Sequence, residues 1–260
     1  KINLKGIMKN FILIFALIIN ANFIFSQAIS YRYIKPKKGH GQDLRKGLEN
    51  KTKKYNSKES DPRIYTFAIR ASQRGSMSGV LRMSYGETLG KLSSGGSGQP
   101  GMMEYWMENV DKYIESNSPS EIFTLRKSAT HNDALGTEKP FRRVFHYIIK
   151  PGQWDKFWKV RDNLPKAIEE SGVDFDINAF QSFAGGPRGH VRIVVFGKDM
   201  KSFEPGSGDW QKIRSAYEKI YGEDAWDIDW ELSRNSQREW GNSVELLEFI
   251  PELSSPLLDN

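Results

Sequence analysis

The sequence predicts an α+β fold made of two consecutive βαββαβ units. The hydrophobic pattern of the second half gives strand, helix, two strands, helix and strand, and the first half repeats this order. Landmarks recur at nearly constant spacing: Pro36 and Pro151 are 115 positions apart, and Arg82 and Arg192 are 110 apart. The second helix of each half also follows a Gly-Ser-Gly stretch. Self-similarity at a fixed spacing indicates a duplicated unit.

In the second half, apolar alternation predicts the strands and apolar residues at helical spacing predict the helices. Pro165 is expected to bend or shorten the first helix, and the stretch AGGPRG suits a hairpin between the middle strands. The predicted elements are a strand at 141–149, a helix at 153–171, strands at 176–183 and 190–196, a helix at 209–221 and a closing strand, WDIDWEL, at 226–232. VELLEFI at 244–250 is expected to add an edge strand, and PELSSPLLDN reads as a tail.

The first half follows the same order. Its predicted elements are strands at 31–35, 63–70, 80–85 and 121–127 and helices at 41–55 and 102–116. The domain boundaries that follow are a first repeat at 30–129, a linker at 130–140, a second repeat at 141–254 and a C-terminal tail at 255–260.

The βαββαβ order is that of a ferredoxin-like unit, and a tandem pair resembles the dimeric α+β barrel superfamily, in which two such sheets close face to face. The resemblance covers about Ser30 to Ser233 and rests on element order rather than on a motif. It implies a pseudo-dimeric barrel within one chain, and hence a monomer with internal pseudo-two-fold symmetry. Two independent ferredoxin-like domains side by side are the alternative.

The N-terminal segment has the layout of a signal peptide. Met8-Lys9-Asn10 precedes the apolar run FILIFALII, and the segment ends with the small residues Ser26 and Ala28. We therefore expect a signal peptide at 8–27, with residues 1–7 as an upstream extension, and an exported chain, periplasmic or extracellular. The apolar run is shorter than the ~20 residues that a membrane-spanning helix needs.

Composition excludes several classes of function. The chain has no cysteine, and therefore no disulfide, thiolate nucleophile or thiolate metal site. Removing residues 1–27 removes Lys1, Lys5 and Lys9 and no acid, which leaves 35 basic and 32 acidic residues. This near-even charge argues against a nucleic-acid partner. No cofactor is predicted.

A metal site is not predicted either. Asp227, Asp229 and Glu231 would suit Mg²⁺ or Ca²⁺, but on a strand successive members lie ~6.6 Å apart, too far for one ion to collect all three. The four histidines are scattered along the sequence without zinc-ligand spacing.

Strand alternation selects the candidate site residues. In the strand HVRIVVF, Val191 and Ile193 suit the helices, so His190 and Arg192 should face the centre of the barrel. The same reasoning gives candidate catalytic residues His146 and His190, and candidate ligand-binding residues Arg82, Arg192, Asp229 and Glu231. Arg82 enters by pseudo-symmetry with Arg192. The alternative is that these charged groups neutralise one another or face water.

The function predicted first is an exported protein that binds a small organic ligand in a cavity between the sheets. The second hypothesis is an enzyme of the dimeric α+β barrel type, monooxygenase-like or isomerase-like, with His146 or His190 transferring a proton and Arg192 stabilising negative charge. A structural envelope or interaction module is the third. The superfamily includes cofactor-free monooxygenases and haem enzymes, but the sequence lacks the Gly-x-x-Asp-Gly stretch expected of haem peroxidases.

Overall fold

The computed structural model describes residues 27–94, 99–132, 139–204 and 208–257. These residues form nine strands and six α-helices. The strands are β1 Ala28–Pro36, β2 Arg63–Ala71, β3 Val80–Gly86, β4 Ile114–Asn117, β5 Glu121–Leu125, β6 Phe141–Ile148, β7 Ile177–Ala184, β8 His190–Gly197 and β9 Ser243–Phe249. The helices are α1 Gly41–Tyr55, α2 Leu89–Ser94, α3 Met102–Asn109, α4 Trp154–Ser171, α5 Gly208–Tyr221 and α6 Ala225–Asn235.

Eight antiparallel strands close into a barrel. Their order is β3-β2-β9-β6-β8-β7-β5-β1, and β1 pairs with β3 to complete the ring, while β4 pairs with the end of β1. The strands of the first half run β5-β1-β3-β2 and those of the second half β9-β6-β8-β7. The two halves therefore share one closed sheet, and are not separate sheets side by side.

Aromatic and branched side chains fill the barrel interior. Alternate residues of each strand point inward, and these residues form one buried cluster. Its members are Ile29, Tyr31, Tyr33, Tyr65, Phe67, Ile69, Leu81, Met83, Phe123, Leu125, Val144, Phe180, Val194, Phe196, Leu247 and Phe249. They occupy the space in which a ligand cavity between the sheets was expected.

Helices cover the outer face of both halves. Val191 and Ile193 pack outward against apolar residues of α4 and α5, as strand alternation predicts. On the first half, Leu44 and Leu48 of α1 pack on the sheet. A Cβ on Gly47 would lie 2.1 Å from a backbone oxygen of α3, so the contact between α1 and α3 requires glycine there. None of the helices among the described residues is long and apolar enough to cross a bilayer.

The predicted closing strand at 226–232 is wrong, because these residues belong to α6. Trp226 and Trp230 are four positions apart, which places them on one face of a strand and equally on one face of a helix. In the structure they join Ser233 on the face of α6 that contacts α4. A segment of six or seven residues is too short for its apolar spacing to distinguish a strand from a helix. Packing against α4 stabilises the helix.

The closing strand of the second half is instead β9: the strand predicted at 244–250 is present, but its predicted edge position is wrong. β9 lies between β2 and β6 and so joins the two halves. Beyond it, residues 250–255 continue alongside β2, where the Ser255 amide donates to the Ile64 carbonyl at 2.7 Å. This segment, expected to be a tail, is hydrogen-bonded to the barrel.

The helix predicted at 102–116 ends early, at Asn109. Residues 114–117 form β4, whose pairing with β1 replaces the last turns of the helix. The predicted signal peptide lies outside the described residues, as does most of the predicted linker.

Candidate functional site

Two histidines and two glutamates form a buried row of contacts at one end of the barrel, which we call the histidine cluster. Nδ1 of His146 on β6 is 2.9 Å from Nε2 of His190 on β8, so the imidazoles share a hydrogen bond. Nε2 of His146 lies 3.1 Å from Oε2 of Glu245 on β9, and Nδ1 of His190 lies 3.1 Å from Oε2 of Glu121 on β5. Both imidazoles are shielded from solvent. The histidine cluster therefore contains residues from strands of both halves.

The carboxylate of Glu245 is further held by hydroxyl groups. The Tyr33 hydroxyl and the Ser72 hydroxyl each donate to its Oε1 at 2.6 Å. Burial raises the pKa of Glu245, but the contacts with His146, Ser72 and Tyr33 outweigh burial and hold this pKa at about 2. The same carboxylate and burial raise the pKa of Tyr33. Glu245 is therefore an anion at neutral pH.

At the other end of the cluster, Glu121 pairs with the Arg74 guanidinium, which belongs to the loop between β2 and β3. A Cβ on Gly186, in the β7–β8 loop, would lie 2.7 Å from Oε2 of Glu121. The Arg192 guanidinium lies 4.6 Å from the ring centroid of Tyr31 within the barrel. Both loops therefore close over the histidine cluster.

A proton count constrains the histidine cluster. Its three contacts, Glu245–His146, His146–His190 and His190–Glu121, each need one proton to be favourable, but two neutral imidazoles carry only two protons. Burial lowers the pKa of His146 to about 4, against the opposing effect of Glu245. At neutral pH the His146 imidazole is therefore neutral, and it takes up its second proton only in acid.

Each ring nitrogen of the two imidazoles lies within 3.1 Å of another group of the histidine cluster. Among the residues that the structure describes, no group of three or more histidine, aspartate or glutamate side chains could hold a metal ion. Sequence alternation predicted correctly that His146, His190 and Arg192 would face the interior together; their catalytic and ligand-binding roles stay predictions.

Asp229 and Glu231 lie far from these residues in the fold, because they are on α6. Asp229 is buried, accepts a hydrogen bond from the Tyr217 hydroxyl at 2.7 Å and pairs with Lys159 at 2.9 Å. Glu231 is exposed. Both were expected on an inner strand face, and both instead lie on a helix outside the barrel.

Arg82 lies on the outer face of the barrel, contrary to its predicted inward position, and lines a pocket of about 260 Å³ between the first-half sheet and helices α1 and α3. Arg82 on β3 is directly opposite Arg32 on β1, and Ser84 is directly opposite Ser30. Lys51 of α1 completes the set. Three cations thus meet in one place, which we call the basic pocket.

Neutral groups hold two of the three cations of the basic pocket. The Arg82 guanidinium donates to the Thr52 hydroxyl at 2.9 Å, and Lys51 Nζ donates to Asn56 Oδ1 at 2.6 Å. Among the described residues, no carboxylate lies at ion-pair distance from Arg32, Lys51 or Arg82. Like charges directly opposite each other on paired strands are destabilising. The pocket therefore has positive charge that protein groups do not neutralise.

Burial and like charges lower the pKa values in the basic pocket. Burial, with Arg82 and Arg32 nearby, lowers the pKa of Lys51 to about 7 against the opposing effect of Asp61. Burial, with Arg32 nearby, lowers the pKa of Arg82 to about 9, which leaves it charged at neutral pH. Lys51 is therefore divided between its ammonium and free-amine forms near neutrality.

Uncharged residues, most of them apolar or aromatic, form the rest of the lining. The Arg32 guanidinium lies 4.9 Å from the ring centroid of Trp106 on α3. The uncharged lining residues are Ser30, Tyr31, Ile64, Ser84, Met102, Met103, Trp106 and Ser120. The pocket thus combines a basic side with a hydrophobic side.

The sequence analysis missed Arg32 and Lys51. Arg32 alternates with the inward residues Tyr31 and Tyr33, a signal that could have placed it on the outer face. Lys51 precedes Thr52 and two exposed lysines, so its burial has no distinct signal in the sequence.

Comparison with known proteins gives structural matches alone: no family model matches the chain, and no curated protein matches it. An inferred monooxygenase from Fusobacterium nucleatum superposes with a TM-score of 0.57 at 11% identity, covering 86% of this chain and 92% of that one. An anthrone oxidase-like protein gives a TM-score of 0.52 at 9% identity over 87% and 92% of the two chains. An inferred monooxygenase from Lactobacillus acidophilus gives 0.52 at 9% identity over 90% and 100%.

At such low identity these likenesses concern the fold. Together with the closed ring of antiparallel strands, they confirm the resemblance predicted from element order: this chain has the fold of the dimeric α+β barrel superfamily.

Proposed function

We propose that the protein binds a small organic anion in the basic pocket and acts on it as an enzyme of the dimeric α+β barrel type. The observation that carries this proposal is the meeting of Arg32, Arg82 and Lys51 with no carboxylate of the described residues at ion-pair distance. Burying like charges together costs stability. An arrangement that costs stability in the ligand-free protein is typical of a functional site.

The dimensions and lining of the pocket define the ligand. Its volume of about 260 Å³ is slightly below the ~300–1,000 Å³ of sites for drug-sized ligands. The ligand is therefore compact, with one ring or a short chain. Its carboxylate or phenolate pairs with the arginines, and its hydrocarbon part packs against Trp106 and Met102.

The structural neighbours support an enzyme over a passive carrier. They are named as monooxygenases by inference and as an anthrone oxidase-like protein, and share the fold across most of this chain. Identities of 9–11% carry no catalytic residue across. The closed histidine cluster is not part of this proposal, because a substrate could reach it only after the covering loops open.

Isothermal titration with benzoate tests the binding step. We expect Arg82→Gln to weaken benzoate binding by roughly tenfold or more, since a charge-assisted hydrogen bond contributes ~1.5–3 kcal/mol. The ligand-free variant should melt at the same or a higher temperature, because the repulsion with Arg32 is removed.

Arg70→Gln is the matched control: it removes one arginine charge from the exposed end of β2, where Arg70 pairs with Glu248. Its affinity for benzoate should equal that of the wild type. Equal affinities for the wild type and Arg82→Gln would refute binding in the basic pocket.

We also propose that the two halves are tandem ferredoxin-like units and that the chain is exported. The matching strand orders β5-β1-β3-β2 and β9-β6-β8-β7 support the first statement, and the leader pattern at 8–27 supports the second. N-terminal sequencing of the mature protein checks export, since a start at Met8 would contradict cleavage.

A further inference from the structure

Lys51 has the surroundings of a reactive amine rather than of a structural cation. Lys51 is on α1, is 7% exposed and lines the basic pocket, and its Nζ donates a hydrogen bond to Asn56 Oδ1. The Asn56 Nδ2 donates to the Pro62 carbonyl at 2.7 Å, which fixes the amide so that Oδ1 faces Lys51. A neutral amide positions the nitrogen without the charge that would stabilise an ammonium ion.

The neighbouring arginines add to this effect. Arg32 and Arg82 face Lys51 across the basic pocket and disfavour its charged form, and Asp61 favours it more weakly. The pKa of about 7 leaves roughly half of Lys51 as free amine at neutral pH, against ~0.04% for a lysine with the usual pKa of ~10.4. A desolvated lysine beside other cations is a recognised form of activated nucleophile.

We propose that Lys51 forms an imine with an oxo acid whose carboxylate is held by Arg32 and Arg82. This inference rests on the proposed function, because it names the substrate class and the reacting group of the same pocket. An oxo acid fits since it places a carbonyl carbon one or two bonds from the carboxylate, and Lys51 completes the same pocket as the arginines.

The step balances without an added oxidant or reductant. The Lys51 nitrogen lone pair attacks the carbonyl carbon, a C–N bond forms, and the carbonyl π electrons move to oxygen. The two protons lost by nitrogen leave with that oxygen as water, and the product is a C=N bond. The imine, once protonated, withdraws electrons from the neighbouring carbon and favours loss of a proton from it. In a 3-oxo acid, where that carbon carries the carboxylate, it also favours loss of carbon dioxide.

The test is reductive trapping of the full protein with pyruvate and cyanoborohydride, followed by peptide mass mapping. At pH 7 we expect Lys51 to acquire the adduct more than tenfold faster than Lys46, an exposed lysine on the same helix. Lys51→Arg should remove this adduct, whereas Lys46→Met should leave it unchanged. Arg82→Gln should slow trapping and move the pH midpoint upward, because one cation no longer disfavours the Lys51 ammonium.

Trapping of Lys51 no faster than of Lys46 would overturn the proposal. If Lys51 is not trapped faster but benzoate still binds in an Arg82-dependent manner, the imine proposal fails and the anion-binding site is retained. If benzoate affinity does not depend on Arg82, the proposed function itself fails. An unshifted pH midpoint in Arg82→Gln would show that the basic pocket does not control Lys51.

Discussion

Each imidazole of the histidine cluster lies between a carboxylate and the other imidazole, with Arg192 inside the barrel nearby. Burial lowers the pKa of His146, because a further proton would add charge to a buried site. The unfolded chain has no such burial. The difference in proton uptake between the two states makes stability depend on pH.

We expect the protein to lose stability as the pH falls from about 6.5 toward 4. The folded pKa of His146 lies at about 4, below the unfolded value of ~6.5, so the unfolded state binds more protons in this window. Glu245, with a pKa of about 2, extends the loss below pH 4.5. Melting temperatures of the wild type measured across pH 7 to 4 check this expectation.

His146→Gln should give a flatter dependence of melting temperature on pH than the wild type, since it removes the titrating group. His40→Gln is the control, because His40 is exposed and pairs with Asp43 on the surface. Parallel curves for wild type and His146→Gln between pH 6.5 and 4 would contradict the role assigned to His146.

Residue faces could be predicted within one half, but not transferred between halves. Alternation placed His190 and Arg192 inward correctly, whereas pseudo-symmetry placed Arg82 inward and the structure has Leu81 and Met83 there. A register shift of one residue reverses the face of every side chain on a strand. A repeat spacing that varies by a few residues therefore cannot decide the face of Arg82.

At the scale of elements, α6 shows how an interior face can be misassigned. Its charged residues suggested a ligand site only because the segment was interpreted as a strand. As a helix, it directs Asp229 to Tyr217 and Lys159 and leaves Glu231 in solvent. These partners come from α4 and α5, and nothing within the segment WDIDWEL indicates them.

Asp229→Ala should destabilise the protein by about 1–3 kcal/mol, because the buried Tyr217 hydroxyl loses its acceptor and Lys159 its partner. Glu231→Ala on the same helix should change the free energy of unfolding by less than about 0.5 kcal/mol. Urea denaturation of the two variants measures both effects. A large loss of stability in Glu231→Ala, or none in Asp229→Ala, would contradict the conclusion that Asp229 makes stabilising buried contacts and that Glu231 lies in solvent.

At the scale of the whole molecule, the barrel closes within a single chain. β2 pairs with β9 and β5 pairs with β7, so both junctions between the halves are made internally. Related barrels that are built from one unit per chain would need a second copy for these junctions. The internal closure leaves the eight strands of the ring without the open edges through which two copies would pair.

We therefore expect a monomer in solution, and light scattering coupled to gel filtration should give the mass of one chain at all concentrations. A mass that rises to that of a dimer would show that another surface associates. The outer helical faces, rather than the sheet edges, would then be the interface to investigate.

The barrel itself could be predicted because element order and repeat spacing are properties of the whole sequence. The basic pocket could not be predicted, since it requires Arg32 and Arg82 to be opposite each other on paired strands and Lys51 of α1 to line the same space. Such meetings are set by sheet register and helix packing, which leave no spacing signature.

The long separation of β2 and β9 along the sequence has a consequence for biosynthesis. Phe67 of β2 pairs with Phe249, so the ring cannot close until every residue as far as β9 has left the ribosome. Until then, nascent β2 presents unpaired amides and carbonyls, the kind of edge that recruits other chains. A product truncated before β9 would keep this edge exposed and would be a client for chaperones and proteases.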